Sequence, residues 1–157
     1  MVLYGMDGVC RITEITTKDL YGKKIEYYVL KPLSNSKSTI FVPISSEATV
    51  SKMRRILSAE QIHELIKNMP DIELLWIESD GRRKEKYKSV ISSGNCGELI
   101  QLIKTVYSHK KLLEAQGKKL HKIDENFIKE AEKLSFEEFA LVLDLDYDEV
   151  LPFIINQ

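Results

Sequence analysis

At 157 residues and 43% hydrophobic content the chain has enough apolar material for a real core, in one ordinary domain or two small ones, so an independent fold is expected. Its two cysteines, Cys10 and Cys96, lie far apart and outside any Cys-x-x-Cys pair, which argues against a zinc site and a disulfide framework and for a reducing, cytoplasmic compartment. No apolar run approaches the ~18 residues of a membrane span, no export signal is legible at the N-terminus, and a formal net charge of -1 leaves the placement of charge, not its sum, as the informative quantity.

In chain order, short β-favouring runs come first. Met1 to Tyr4, Val9 to Ile15, Ile25 to Leu30 and Thr39 to Ile44 alternate with turn residues at Gly5, Gly8, Lys18 to Gly22 and Pro32 to Lys37, which predicts a small twisted sheet or barrel. The run Ile25 to Leu30 is nearly all apolar or aromatic, as in a strand covered at least partly on both faces. Near residue 45 the pattern turns helical. Ser58 with Gln61 forms a capping box before Ile62, Leu65 and Ile66, and Pro70 closes that helix. A second helix is predicted from Asp71 to Ser89, with Gly81 as a bend and Gly94 as the stop. Asn95 and Glu98 then cap a helix carrying Leu99, Leu102, Ile103, Val106, Tyr107 and Leu113 as far as Gly117. Asp124 opens another, with Phe127, Ile128, Ala131, Leu134 and Phe139. A short last piece runs from Asp146 to Ile154.

Charge is segregated along this framework. Five bases (Arg82, Arg83, Lys84, Lys86, Lys88) face one acid between residues 82 and 88, and six lysines face one acid between Lys104 and Lys122. From Asp124 onward ten acids face two lysines. The only tryptophan, Trp76, directly precedes the first basic cluster, and a large flat ring beside phosphate-gripping side chains suits nucleic acid. The competing reading makes Trp76 a core or interdomain residue and the basic run a solvated helix face. Chemistry is otherwise absent. No glycine-rich phosphate loop precedes a Gly-Lys-Ser/Thr, His63, His109 and His121 lack the spacing of shared metal ligands, and no serine or cysteine sits in a nucleophile context. Neither enzyme, metal nor cofactor is implied, and His109 and His121 read as surface residues.

Ordered blocks over nearly the full length carry a resemblance. Tyr4-Gly-Met-Asp-Gly-Val-Cys-Arg-Ile12, Gly22 with Glu26 to Leu30, Ile40-Phe41-Val42-Pro43, Met53-Arg54-Arg55, Trp76 with its basic cluster, Ser93-Gly94, the helix from Glu98 to Leu113, and Leu120 with Asp124 and Ala131 together resemble the CarD/CdnL family of bacterial transcription regulators. The resemblance implies an α+β chain: a Tudor-like antiparallel β barrel, residues 1–45, that docks on the RNA polymerase β subunit, and a compact all-α domain of about five helices, residues 46–157, that binds promoter DNA. It also implies a monomeric, nucleoid-associated protein that stabilises the open promoter complex, with Trp76 wedged into the minor groove. Arg82, Arg83, Lys84, Lys86 and Lys88 would then hold phosphates without reading sequence, and Lys18, Ile40, Phe41, Val42 and Pro43 would face the polymerase. An adaptor that binds polymerase without touching DNA is the alternative.

Three departures from the family pattern bear on these roles. The family usually has a phenylalanine and a Gly-Asp pair before the hairpin tyrosine, whereas this chain begins Met1-Val2-Leu3-Tyr4, so a shortened or missing first strand is expected. Some members have arginines at the positions of Lys18 and Phe41, and only the first is cationic here. Glu125 and Asn126 replace two bases after the acid of a late helix, which leaves Lys118, Lys119 and Lys122 as alternative contacts.

Overall fold

The computed structural model describes residues 1–156 and separates into two compact units, the first Met1–Ile56 and the second beginning at Leu57. The first unit holds β1 (Val2–Tyr4), β2 (Val9–Leu20), β3 (Lys23–Pro32), β4 (Ile40–Pro43), a single helical turn α1 (Glu47–Val50) and β5 (Met53–Arg55). All pairings are antiparallel, in the order β4-β3-β2-β1-β5. The expected barrel is therefore an open sheet: β4 and β5 form its two edges and do not pair with each other.

Local chemistry explains the long β2–β3 hairpin. Its two-residue turn places Tyr21 and Gly22 at φ 54° and 79°, and the Gly22 N–H donates to Asp19 Oδ1 at 3.0 Å. Glycine takes that left-handed backbone freely, while a tyrosine there is strained and held by the strands around it. Cys10, Leu30 and Val42 are fully buried and Val2 nearly so, with Tyr4, Tyr28, Ile40, Val50 and Met53 packed around them. Cys10 is thus the small core hydrophobe its strand position suggests. The first strand is present, though three residues long, and sits between β2 and β5. The composition shift near residue 45 marks the end of β4, whereas the unit closes after Ile56 because Met53, Arg54 and Arg55 return to pair with Tyr4, Leu3 and Val2.

Among its described residues the second unit contains five α-helices: α2 (Ala59–Asn68), α3 (Asp80–Ser93), α4 (Cys96–Ala115), α5 (Lys122–Leu143) and α6 (Tyr147–Ile155). Capping residues set their ends. Gln61 N–H donates to Ser58 Oγ at 3.2 Å and Ser58 N–H to Gln61 Oε1 at 2.9 Å, a complete box. Asn95 Oδ1 accepts from Glu98 N–H, but the Glu98 carboxylate accepts from the Ser93 hydroxyl instead of closing the box. Gly94 ends α3 at φ 62°, donating its N–H back to Val90 and Ile91. Ile62, Leu99, Ile100, Val106, Phe139 and Val150 form the centre of the core. Among the described residues no helix is long and apolar enough to cross a membrane.

One predicted helix is shortened. Residues 72–79 do not join α3, which starts at Asp80 with Ser79 as its N-cap and Gly81 in its first turn. Leu74, Leu75 and Ile77 supply helical-looking hydrophobicity, yet Leu74 and Leu75 are exposed. The backbone of this segment is instead claimed by side chains of α4, which removes the need for helical hydrogen bonds.

Candidate nucleic-acid and docking surfaces

Trp76 lies within this extended segment, on a platform built by α4 and α3. Lys104 Nζ donates to the carbonyls of Met69, Pro70 and Ile72 at 2.6, 2.8 and 2.9 Å, Gln101 Nε2 donates to Glu73 O at 3.1 Å, and Leu75 N–H donates to Thr105 Oγ1 at 3.1 Å. Arg83 Nη1 reaches back to Ile77 O at 2.9 Å. Every second or third residue before α3 is tied down. The segment is a fixed shelf, not a free loop.

On the shelf the Trp76 ring is half-buried and has two close neighbours. The His109 imidazole stacks on it, centroids 3.5 Å apart and planes 12° from parallel, and the Arg83 guanidinium carbon stands 4.4 Å over the ring. Two planar groups at those separations require opposite faces. The indole N–H is buried and has no hydrogen-bond partner among the described residues. Trp76 is neither a fully exposed ring nor a core residue; it is clamped with part of its surface open.

Arg83 departs from the expected phosphate-binding row. It is 3% exposed and forms a bidentate pair with Asp124 of α5, Nε to Oδ1 at 2.8 Å and Nη2 to Oδ2 at 3.0 Å, while Nη2 also meets Asp80 at 2.7 Å. The hydrogen bond to Asp124 raises the guanidinium pKa despite burial. Close by, burial pushes the Tyr87 hydroxyl up to about 12, with the Asp124 charge adding to the shift. With every donor direction engaged, Arg83 has nothing left for a phosphate.

The other four bases remain on the surface in two sets. At about 100° per residue, Arg82 and Lys86 fall on one flank of the buried stripe and Lys84 and Lys88 on the other. The stripe itself is Arg83, Tyr87, Val90 and Ile91. Lys86 stands 4.0 Å from Glu98, while Arg82, Lys84 and Lys88 are exposed and form no ion pair among the described residues. Lys104 is spent on carbonyls, and Lys110 lies 4.0 Å from Glu114 one turn along.

In the first unit, β4 presents the expected docking residues at the sheet edge. Lys18 of β2 places its ammonium 3.4 Å from the centroid of the Phe41 ring, and Tyr27 of β3 meets the same ring edge-on at 6.1 Å. Phe41 is 41% exposed. Ile40 and Pro43 are half-buried, and Val42 departs from the expectation because its side chain is fully buried in the core, leaving only its main chain for a partner.

Residues 1–57 match the family model described as the CarD-like/TRCF RID domain. The match spans the whole of the first unit and is consistent with a CarD-like family member. That family is a non-enzymatic domain that interacts with RNA polymerase, and the match supports polymerase as a partner. No curated protein matches the chain. The CarD-like match ends at the close of the sheet, so the geometry of the helical unit is what bears on nucleic acid. There, sequence reasoning missed His109, Lys104, Thr105 and Asp124 as parts of the Trp76 platform. The one legible signal is the Arg83–Asp124 pairing of opposite charges inside apolar-periodic segments, and a separation of 41 residues hides it.

Proposed function

We propose that this chain is a transcription regulator that binds the RNA polymerase β subunit through its CarD-like sheet and upstream promoter DNA through its helical unit, stabilising the open complex. The observation that carries the DNA half is Trp76: a partly open aromatic ring on a rigid shelf, directly preceding a helix whose free bases flank its buried stripe. A wedge at a duplex–single-strand junction costs a few kcal/mol of unstacking, which a pre-positioned ring and phosphate contacts offset. Phosphate contacts carry no sequence information, so promoter choice belongs to the polymerase.

The test is the lifetime of open complexes challenged with competitor DNA. Trp76→Ala removes one stacked pair and one cation–π interaction, about 1–2 kcal/mol of stability, and the helical unit stays folded. Open complexes formed with this variant are expected to decay faster while polymerase binding is retained. Unchanged decay favours the adaptor reading, in which the covered faces of Trp76 serve packing alone.

Salt dependence gives a separate readout. Neutralising Lys84 and Lys88 should flatten the salt dependence of DNA binding by about 0.9 log unit for each phosphate no longer neutralised, alike on all sequences. Neutralising Arg82 and Lys86 should do less, because Lys86 already faces Glu98. Equal slopes for wild type and the Lys84/Lys88 variant would move the phosphates off α3.

A further inference from the structure

Resting on the reading of Trp76 as the DNA wedge, we infer that His109 and Arg83 are positioning residues that clamp the ring on both faces, so that it meets DNA by an edge and never by stacking a face on a base. Face stacking requires an open face. Here one face carries the imidazole at 3.5 Å, nearly parallel, and the other the guanidinium at 4.4 Å. The ring's polar edge is also withdrawn, since the indole N–H is buried without a partner among the described residues. What remains to face outward is carbon, which fits an insertion that separates bases without hydrogen-bonding to any of them.

The clamp is anchored from three helices. His109 is on α4, the same helix whose Gln101, Lys104 and Thr105 fix the shelf backbone. Arg83 is on α3 and is held in place by its two bonds to Asp124 on α5. A planar guanidinium fixed by a carboxylate can both stack and stay put, which a lysine ammonium cannot do. Side chains so constrained lose little further freedom when the ring is loaded against DNA.

A different arrangement predicts the opposite behaviour. If the clamp were a parking place from which the ring swings out to stack on a base, weakening the clamp would release the ring and lengthen open-complex lifetimes. The two are separated by His109→Ala and His109→Phe in the full chain, with Trp76→Ala as the reference. Because Trp76 is the only tryptophan, acrylamide quenching of the free protein reports on this ring alone. His109→Ala should raise the quenching constant about twofold and shorten open-complex lifetime about two- to tenfold, the loss expected for one aromatic pair. His109→Phe, which keeps a stacking ring, should restore both. A lifetime that is unchanged or longer with His109→Ala, beside a short one with Trp76→Ala, overturns the clamp and leaves the wedge standing. Failure of His109→Phe to restore the lifetime also overturns it. A normal lifetime with Trp76→Ala removes the wedge itself, and the clamp with it.

Discussion

Replacing Asp124 with alanine should destabilise the helical unit by about 3–5 kcal/mol in urea unfolding, because it strands a buried arginine without its counter-ion. Arg83 is 3% exposed and Asp124 1% exposed, so neither can turn to water when its partner is removed. Asp80 would remain at 2.7 Å, but its side chain is largely exposed and cannot replace a bidentate acceptor inside the core. The same substitution should loosen the shelf: Arg83 also supports Ile77 and covers Trp76, so fluorescence quenching should rise in parallel. Replacing both partners by apolar residues, Arg83→Met with Asp124→Leu, should recover much of the stability, since an ion pair in the interior contributes little beyond what its own desolvation costs. It should not recover the ring's protection, because methionine offers no planar cation. A loss below about 1 kcal/mol for Asp124→Ala would mean that the pair is solvated in the folded protein, and the rigid-shelf account would fall.

Where local pattern and tertiary structure agree, the residues are readable. The β2–β3 hairpin follows from alternating runs on either side of the turn expected at Lys18 to Gly22, although Lys18 to Leu20 pair as strand and only Tyr21 and Gly22 turn, and Ser58 with Gln61 marks the start of α2 to the residue. The five-helix count follows from apolar spacing and glycine stops. The misreadings share one physical origin. Residues 72–79 carry enough leucine and isoleucine to imitate a helix, but Lys104, Gln101 and Thr105, about thirty positions away, satisfy their backbone groups, and no local window contains that information. Three residues of β5, two of them arginines, hold no periodicity at all; their strand exists because β1 offers an edge. Arg83 looks like one more base in a cluster of five until Asp124 is placed beside it. His109 carries no sequence signal for its role, since a histidine on a helix in a lysine-rich stretch is ordinarily solvent-facing. In the sequence, the wedge and core readings of Trp76 exclude each other. A ring held between two side chains with one edge open is a third case, reached only when the neighbours on both faces are known.

Phe41→Asp should weaken polymerase binding about 30-fold or more, the effect of removing an interface hot spot of about 2 kcal/mol, and leave the fold intact. β4 is an edge strand of the sheet, and a partner strand added there would gain main-chain hydrogen bonds, with exposed side chains supplying selectivity. Phe41 is the most exposed apolar side chain on that strand, and Lys18 at 3.4 Å and Tyr27 at 6.1 Å hold its ring in one orientation. A preset ring loses little freedom on docking, as a hot spot requires. Aspartate at this position would draw the Lys18 ammonium into an ion pair and present a solvated carboxylate where an apolar anchor stood. Folding should tolerate the change, because Phe41 is 41% exposed and the strand's core contribution comes from Val42. Val42→Asp, by contrast, should unfold the sheet and serves as the control that separates lost docking from lost structure. The measurement is capture of core polymerase by the full-length chain, with circular dichroism melting on the same samples and DNA binding assayed in parallel. Full-strength capture by a folded Phe41→Asp protein would take this edge out of the interface and turn attention to the β5 edge at the opposite side of the sheet.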